Sequence, residues 1–125
     1  MKWNGLVVLL LAGLLSACAS NAAKDHVEQS ADANAELGLR YMLQGNNEVA
    51  MEKLKRALSF DDQSVKANHY IGELYRRLGR FDDAEKHFRI ALSNAHDNPD
   101  LNNNFGVFMC DREKYDESEK YFLLF

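Results

Sequence analysis

Histidine, cysteine and serine are the side chains of this 125-residue chain that most readily do chemistry. The four histidines are His26, His69, His87 and His96, and no two of them have the H-E-x-x-H spacing of a zinc site. Because a metal site needs several converging ligands, we expect His69 to make only a polar contact. The chain also has no glycine-rich phosphate loop and no Ser-His-Asp set in a suitable context. The sequence therefore predicts no enzyme activity, no metal and no cofactor.

Cys18 carries the clearest chemical prediction. It follows Lys2, an uninterrupted apolar run over residues 6–15, and the small residues Ser16 and Ala17. A run of this length is too short to span a bilayer, which needs about 20 residues, and it is typical of a secretory signal. The segment Leu-Ser-Ala-Cys resembles the lipobox of bacterial lipoproteins, in which the thiol is acylated and the signal is cut before it. Residues 1–17 are therefore predicted to be a cleaved signal peptide, with Cys18 as the lipidation site.

The lipobox resemblance implies a multiply acylated Cys18, because a single acyl chain binds a membrane only marginally. Ala19 follows the cysteine in place of aspartate, and by analogy with Gram-negative lipoproteins this favours the periplasmic face of the outer membrane. An ordinary signal peptide with an incidental cysteine is the alternative. Residues 18–30 are then the lipidated N-terminus and a flexible tether, which as a coil reaches about 20 Å.

The charge and the second cysteine limit the partners. The net charge is −4 and no basic stripe is present, so a nucleic-acid surface is not expected. Nothing indicates a small-molecule substrate. With Cys18 acylated, Cys110 has no partner in the chain, and we expect it to be buried as free cysteines commonly are. Pairing with a cysteine of another protein is the alternative.

Glycine recurs at a fixed interval of 34 residues, at Gly38, Gly72 and Gly106. Glycine inside a helix costs about 1 kcal/mol relative to alanine, so a fixed period indicates a packing requirement. This period, with small residues where helices cross, is typical of tetratricopeptide repeats. The sequence predicts an all-α solenoid of antiparallel helix pairs. The predicted repeats are residues 31–64, 65–98 and 99–125, the last of them incomplete.

Each repeat is predicted to hold a helix A and a helix B. The A helices should end near Gln44, Leu78 and Arg112, and the B helices should begin at Glu48, Asp82 and Asp116. Gly45 and Gly79 follow the first two A helices as left-handed terminators, and Glu113 takes their place in the third, which predicts a less favourable turn. Asp82-x-x-Glu85 and Asp116-x-x-Glu119 have the form of capping boxes, so these carboxylates have a structural role.

Apolar stripes predict the buried faces of both helices. The helix A stripe is Leu37, Tyr41, Ile71, Tyr75, Phe105 and Met109. The helix B stripe is Ala50, Leu54, Ala57 and Leu58 in the first repeat and Ala84, Phe88, Ala91 and Leu92 in the second. Gly38 and Ala50 should let the two helices of a hairpin approach closely.

The resemblance to tetratricopeptide proteins implies that helix A lines a concave groove. The residues so assigned are Asp32, Ala35, Leu39, Met42 and Leu43 in the first repeat, Lys66, His69, Glu73, Arg76 and Arg77 in the second, and Asp100, Asn103, Val107, Cys110 and Asp111 in the third. The predicted partner-binding set is Leu39, Met42, Lys66, His69, Glu73, Arg76, Arg77, Asn103 and Val107. This groove would be apolar at one end, basic in the middle and acidic beyond, which suits an extended or helical peptide. The lysine and asparagine of the family's carboxylate clamp are absent, so binding of chaperone tails is not expected.

Asparagine occupies the fourth position of every repeat, as Asn34, Asn68 and Asn102. Two interpretations stay open. The side chains could bond the backbone near the helix starts, or they could form a ladder that grips a peptide.

The run Leu-Asn-Asn-Asn-Phe-Gly-Val-Phe-Met-Cys at residues 101–110, followed by Tyr-Asp-Glu-Ser-Glu-Lys-Tyr-Phe at 115–122, resembles the type IV pilus biogenesis lipoproteins PilW and PilF. The resemblance implies a non-enzymatic outer-membrane pilotin that binds secretin subunits and promotes their localisation and multimerisation. The alternative is a general periplasmic adaptor lipoprotein for cell-wall hydrolases or outer-membrane protein assembly. Family members continue for several more repeats, so we expect a truncated chain in which partner sites on later repeats are missing.

Overall fold

The computed structural model describes the backbone of residues 4–123 and the side chains of residues 19–114, 117–121 and 123. Within that part of the chain the helices follow one another without a strand between them. They are α1 (Asn4–Leu43), α2 (Asn47–Phe60), α3 (Val65–Arg77), α4 (Phe81–Asn94), α5 (Pro99–Asp111) and α6 (Tyr115–Phe122). Consecutive helices pair as α1 with α2, α3 with α4, and α5 with α6. The prediction of an all-α stack of helix pairs is confirmed.

The helix boundaries agree with the predicted ones to within one residue, except at the start of α1, which begins at Asn4 and not at residue 31. Helices α3 and α5 begin at Val65 and Pro99, where the second and third repeats were expected to start. Each helix A ends one residue before the predicted position, and each helix B begins one residue before it. Asparagine or serine caps three of the helices, because Asn46, Ser64 and Asn98 each accept a hydrogen bond from the amide three residues ahead.

The predicted capping box of α4 is wrong. The helix begins at Phe81, with Arg80 as its N-cap residue and no side-chain cap hydrogen bond. Asp82 therefore lies inside the first turn, and its carboxylate faces solvent and pairs with Arg112 at 3.3 Å. Glu85 is held by Arg89 and Lys114 instead of reaching back to the N-cap. The matching box of α6 involves the side chain of Asp116, which lies outside the described side chains.

The predicted flexible tether is helical. Residues 19–30 belong to α1, which runs unbroken for 40 residues to Leu43. The segment contains alanine, lysine, glutamate and glutamine, which favour helices, and it has neither glycine nor proline. Extending an existing helix also avoids the cost of nucleating a new one. Twelve residues of helix span about 18 Å, so the reach resembles that of the coil, but the spacer is stiff.

The predicted signal peptide and the side chain of Cys18 lie outside the described side chains. Among the described residues, no helix is both long enough and apolar enough to cross a membrane.

The core confirms the packing reason for two of the recurrent glycines, Gly38 and Gly72. A Cβ atom on Gly38 would lie 2.5 Å from Cγ of Leu54, and one on Gly72 would lie 3.2 Å from the ring of Phe88. Leu54 and Phe88 are fully buried on the facing B helices. Of the predicted helix B stripe, every residue is buried except Leu58, which is half-buried. The glycines therefore make room for the large side chains that join each hairpin.

The first-repeat residues of the helix A stripe are less buried than predicted, since Tyr41 is half-buried and Leu37 is exposed. Leu37 is 40% exposed, whereas the equivalent residues Ile71 and Phe105 are 1% and 0% exposed. Phe105 packs against Phe88 of the preceding hairpin, whereas among the described residues no hairpin packs on the corresponding face of α1. The same face carries the exposed Arg40 where the later repeats bury Leu74 and Phe108. The outer face of α1 therefore resembles the polar surface of a terminal repeat.

The turn after α5 is strained, as the sequence predicted. Glu113 has φ +60°, beside φ values of +78° and +74° at Gly45 and Gly79 in the equivalent turns. A left-handed conformation costs a non-glycine residue about 1–2 kcal/mol.

We expect Glu113→Gly to raise the free energy of unfolding by about 0.5–1 kcal/mol, because the relief of strain exceeds the added entropy of glycine in the unfolded chain. Urea unfolding followed by circular dichroism measures the change. Gly79→Ala is the matched control and should destabilise by a similar amount. An unchanged or lower stability of the Glu113→Gly protein would contradict this account of the turn.

Candidate functional site

The A helices α1, α3 and α5 lie side by side and form one face of the stack. Two clefts of about 400 Å³ run between them, one between α1 and α3 and the other between α3 and α5. The residues Val65, Lys66 and Asn98 line both clefts, so the two are continuous. This surface, which we call the concave face, is the candidate functional site.

Lys66 joins the first repeat to the second across the concave face. Its ammonium lies 3.0 Å from a carboxylate oxygen of Asp32 and 3.3 Å from one of Glu36. The hydrogen bond with Asp32 raises the pKa of Lys66, although partial burial opposes the shift. Two carboxylates thus surround one cation, and the surface around Lys66 is not basic.

The predicted basic middle of the groove is also wrong at Arg76 and Arg77. Arg76 donates two hydrogen bonds to Glu73, at 2.6 and 3.1 Å, and a third to Asp111 of the next repeat at 3.2 Å. Arg77 lies 3.7 Å from Glu73. Burial alone would raise the pKa of Glu73, but the hydrogen bonds and charge of Arg76, with the charge of Arg77, outweigh it and hold that pKa below its ordinary value. Arg76 therefore links α3 to α5 through Asp111, whereas the ion pair of Arg77 lies within α3.

His69 makes the polar contact expected from the sequence. Its Nε2 lies 2.8 Å from Nδ2 of Asn104, on the facing helix α5. Burial lowers the pKa of His69, although the charges of Glu73 and Asp100 oppose the shift. The imidazole is therefore neutral at pH 7, and its Nε2 accepts a hydrogen bond from the Asn104 amide.

The remaining predicted groove residues divide between core and surface. Met42 and Ala35 are buried in the core, so their assignment to the groove is wrong. Because α2 and α3 pack over α1, these positions are covered. Leu39 is half-buried against the core, while Asn103 and Val107 are exposed.

Cys110 is half-buried, less than its predicted full burial. Its Sγ lies 2.8 Å from Oγ of Ser118, and the Ser118 hydroxyl lies within hydrogen-bonding distance of the Gly106 carbonyl, at 2.9 Å. Serine at this position fills a place that alanine takes in the first two repeats, at Ala50 and Ala84. The thiol is thus part of the contact between α5 and α6.

The repeated asparagines bond the backbone and do not form a ladder on the surface. Nδ2 of Asn68 donates to the carbonyls of Asp62 and Ser64, both at 2.9 Å, and Nδ2 of Asn102 makes the equivalent pair of bonds. Both side chains are fully buried, so neither can touch a bound peptide. Asn34 is half-buried and donates to the Ser30 carbonyl.

The sequence reasoning missed the partner of Asn68. Oδ1 of Asn68 lies 2.8 Å from Nδ1 of His87 on α4, and the His87 ring stacks on Tyr75 with a centroid distance of 5.6 Å. Burial lowers the pKa of His87, with a smaller contribution from the charge of Lys86, while Asp83 opposes the shift. The signal that could have found this pair is a histidine 19 residues after the repeated asparagine, on the helix that pairs with α3.

A family comparison decides what kind of protein carries this face. The sequence pattern of the tetratricopeptide repeat matches residues 41–103, half of the chain. The chain is a tetratricopeptide-repeat protein. No curated protein sequence matches it. Within the described residues no group of histidine, cysteine, aspartate or glutamate is arranged to hold a metal ion.

Solved structures of pilus proteins are similar to this tetratricopeptide-repeat protein. PilF of Pseudomonas aeruginosa is 28% identical, with a TM-score of 0.76 over 79% of this chain and 45% of that protein. PilW, a widely conserved type IV pilus biogenesis factor, is 32% identical, with a TM-score of 0.72 over 77% of this chain and 44% of that protein. MamA, at 23% identity and a TM-score of 0.67 over 78% of this chain and 57% of that protein, shares the fold. The chain thus spans less than half the length of PilF and PilW.

The two buried histidines predict a pH dependence of the repeat stack. Because the pKa values of His69 and His87 are lower in the folded state, the unfolded chain binds more protons as the pH falls through the ordinary histidine value of 6.5. We expect the urea midpoint to be constant above that value and to fall as the pH drops below it. The carboxylate of Glu73, whose pKa is lowered from 4.5, loses its contribution only at lower pH.

A His87→Asn variant separates this effect from a general acid sensitivity. It should flatten the pH dependence of the urea midpoint, since asparagine keeps a donor near the Nδ1 position but does not titrate. The same change at exposed His26, whose Nδ1 lies 3.5 Å from Oγ of Ser30, is the control. Equal slopes in the wild type and the His87→Asn protein would refute a role for His87.

Proposed function

We propose that this protein is an outer-membrane lipoprotein of type IV pilus biogenesis, a pilotin that binds the secretin and promotes its localisation and multimerisation. The observation that carries the proposal is the similarity to PilF and PilW, which extends over more than three quarters of this chain. The third-repeat run that resembles this family, at residues 101–110, forms most of α5 on the concave face.

A scaffold role, without catalysis, agrees with the chemistry of the concave face. Its charged residues are largely engaged with one another, as in the contacts of Arg76 with Glu73 and Asp111. The protein would act by presenting a fixed array of polar groups to another polypeptide, as repeat solenoids do. Partner binding, and not bond making, would be its activity.

An anchor at Cys18 would place the repeats at a defined height. The backbone of α1 continues without a break from the anchor position into the first repeat. A stiff helix of about 18 Å would hold the concave face away from the lipid headgroups and in a fixed direction. A secretin subunit captured there would meet the membrane in one orientation.

The anchor is tested by replacing each cysteine in turn. We expect the wild type and Cys110→Ser to incorporate labelled palmitate and to fractionate with the outer membrane. Cys18→Ser should lose the label and no longer fractionate with the outer membrane, because no thiol remains at the acylation position. A Cys18→Ser protein that is still labelled would exclude this lipidation site.

The partner is tested by affinity purification of the full chain from detergent extracts of the membrane. Secretin should copurify with the wild type, and the amount recovered should be unaffected by Cys110→Ser. Recovery of a cell-wall hydrolase or an outer-membrane assembly component without secretin would contradict the pilus proposal and favour the adaptor alternative.

A further inference from the structure

The cleft between α3 and α5 contains groups whose bonding capacity the protein does not use. Lys66, His69 and Tyr70 line one side of it, and Asp100, Asn103 and Asn104 line the other. Its volume is about 400 Å³, enough for several residues of an extended chain. The cleft lies on the concave face where the second repeat meets the third.

Three of these side chains have partners within the protein. Lys66 is bound by Asp32 and Glu36, and His69 is bound by Asn104. These contacts fix the walls of the cleft, because each crosses from one A helix to the next. Because Lys66 is paired, the described residues on the α3 side of the cleft include no unpaired cation to bind an anionic group.

The other three side chains are available. Tyr70, Asp100 and Asn103 make no hydrogen bond or ion pair with any residue in the described part of the chain. Asp100 and Asn103 are exposed, and Tyr70 is half-buried with its ring against His69. A phenol, a carboxylate and an amide are thus free to bind a ligand, and together they favour one that offers both hydrogen bonds and a positive charge.

The chemistry of these groups defines the ligand more closely. An asparagine amide carries a donor and an acceptor, which match the carbonyl and N–H of a peptide unit. The carboxylate of Asp100 accepts charge-assisted hydrogen bonds from lysine or arginine. Asp25 and Glu28, which line clefts along the neighbouring surface of α1, also make no ion pair in the described chain. The surroundings of the cleft are therefore negative, and an anionic ligand is disfavoured.

We propose that the cleft between α3 and α5 docks an extended segment of the partner that carries a lysine or arginine. The peptide backbone pairs with the amide of Asn103, and the cationic side chain lies at Asp100. The inference rests on the proposed function only in that the partner is a protein bound at the concave face. It adds the location and the chemistry of the contact.

The test uses the purified full chain in detergent micelles and a set of overlapping short peptides that tile the secretin. Fluorescence anisotropy should find that the tightest peptides contain lysine or arginine, with binding that weakens as salt is added. Asp100→Asn should weaken those peptides about threefold to fivefold, and Asp100→Lys about tenfold, as expected for loss and reversal of an exposed charge contact. Asn103→Ala should weaken them about fivefold, as expected for loss of hydrogen bonds to the peptide backbone.

Glu48→Gln is the matched control, because it removes one exposed carboxylate from α2, away from the concave face. Its affinity should equal that of the wild type. Circular dichroism should show that all four variants keep the helical fold, with small decreases in melting temperature where a first-turn carboxylate of α2 or α5 is lost, largest for Asp100→Lys. Equal affinities of the Asp100→Asn and Glu48→Gln proteins would overturn the proposal, as would a set of tight peptides that are acidic, or the absence of any binding peptide.

The two proposals can fail separately. If secretin copurifies with the Asp100→Lys variant as well as with the wild type, the cleft is not the contact although the pilotin function stands. If secretin does not copurify with the wild type, the function fails. The cleft is then judged by the same variants against a basic and an acidic peptide of equal length, and a preference for the acidic peptide would overturn it.

Discussion

Replacement of Phe88 by alanine is expected to lower the free energy of unfolding by about 3–5 kcal/mol, the usual cost of removing a buried phenylalanine. Phe88 is fully buried on α4, and its ring packs against Phe105 and Phe108 of the next repeat with centroid distances of 5.8 and 5.3 Å. The same ring fills the space left by Gly72. The Phe88 side chain therefore packs α4 against α3 within the second repeat, and it also packs the second repeat against the third.

The matched control is Phe81→Ala on the same helix. Phe81 is 41% exposed, and its ring centroid lies 6.3 Å from that of Phe108. Its replacement should therefore lower the free energy of unfolding far less, by about 1 kcal/mol. Urea unfolding of both variants gives the comparison, and the Phe88→Ala protein should also lose protection from hydrogen exchange in α5 first. Similar stabilities of the two variants would contradict the central place of Phe88 in the stack.

The second large effect is expected at Asn68. Its replacement by alanine removes hydrogen bonds to two backbone carbonyls and to His87 in a fully buried position. We expect a loss of about 2–3 kcal/mol, because buried polar groups left without partners cost about 1–3 kcal/mol. The Asn68 side chain, on the first helix of the second repeat, thus holds the loop that joins the first repeat to the second.

The three equivalent asparagines provide an internal series. Asn102 makes the same two bonds through Nδ2, but its buried Oδ1 has no partner among the described residues, so Asn102→Ala should cost about 1–2 kcal/mol. Asn34 makes one bond and is half-buried, and its replacement should cost less than about 1 kcal/mol. Urea unfolding should thus rank the losses as Asn68, Asn102 and Asn34. A different order would show that the loop bonds do not determine the stability of these positions.

The architecture could be predicted because its causes are local or periodic. Gly38 and Gly72 recur with the large residues Leu54 and Phe88 that need their space, and this relation is visible in the sequence as a 34-residue period. Turns at Gly45 and Gly79 mark the ends of the A helices in the same way. Each of these sequence patterns concerns residues of a single hairpin, so it can be recognised without knowing how the hairpins stack.

The electrostatics of the groove could not be predicted in this way. Arg76 meets Asp111 from the next repeat, 35 residues along the chain, and Lys66 meets Asp32 from the previous one. A position-by-position transfer from the repeat pattern assigns residues to a face but does not say which charges are already paired. The predicted basic middle was therefore wrong, and the available groups are Asp100, Asn103 and Tyr70.

Two further differences depend on what lies beside a helix. Leu37 has the character of a core residue, but it is 40% exposed because, among the described residues, no hairpin packs on that face of α1. Asn68 and Asn102 are polar, yet they are buried because the inter-repeat loops fold over them and use their amides. Periodicity alone gives the position of such residues in the repeat and not their surroundings.

The central claim is that this tetratricopeptide-repeat protein promotes assembly of the secretin. The most direct measurement is the state of the secretin in outer-membrane fractions of cells that lack the gene, with and without a plasmid-borne copy. We expect the detergent-resistant secretin multimer to be lost in the deletion and restored by the full-length gene. Intact multimers in the deletion strain would contradict the claim and direct the search to another periplasmic partner.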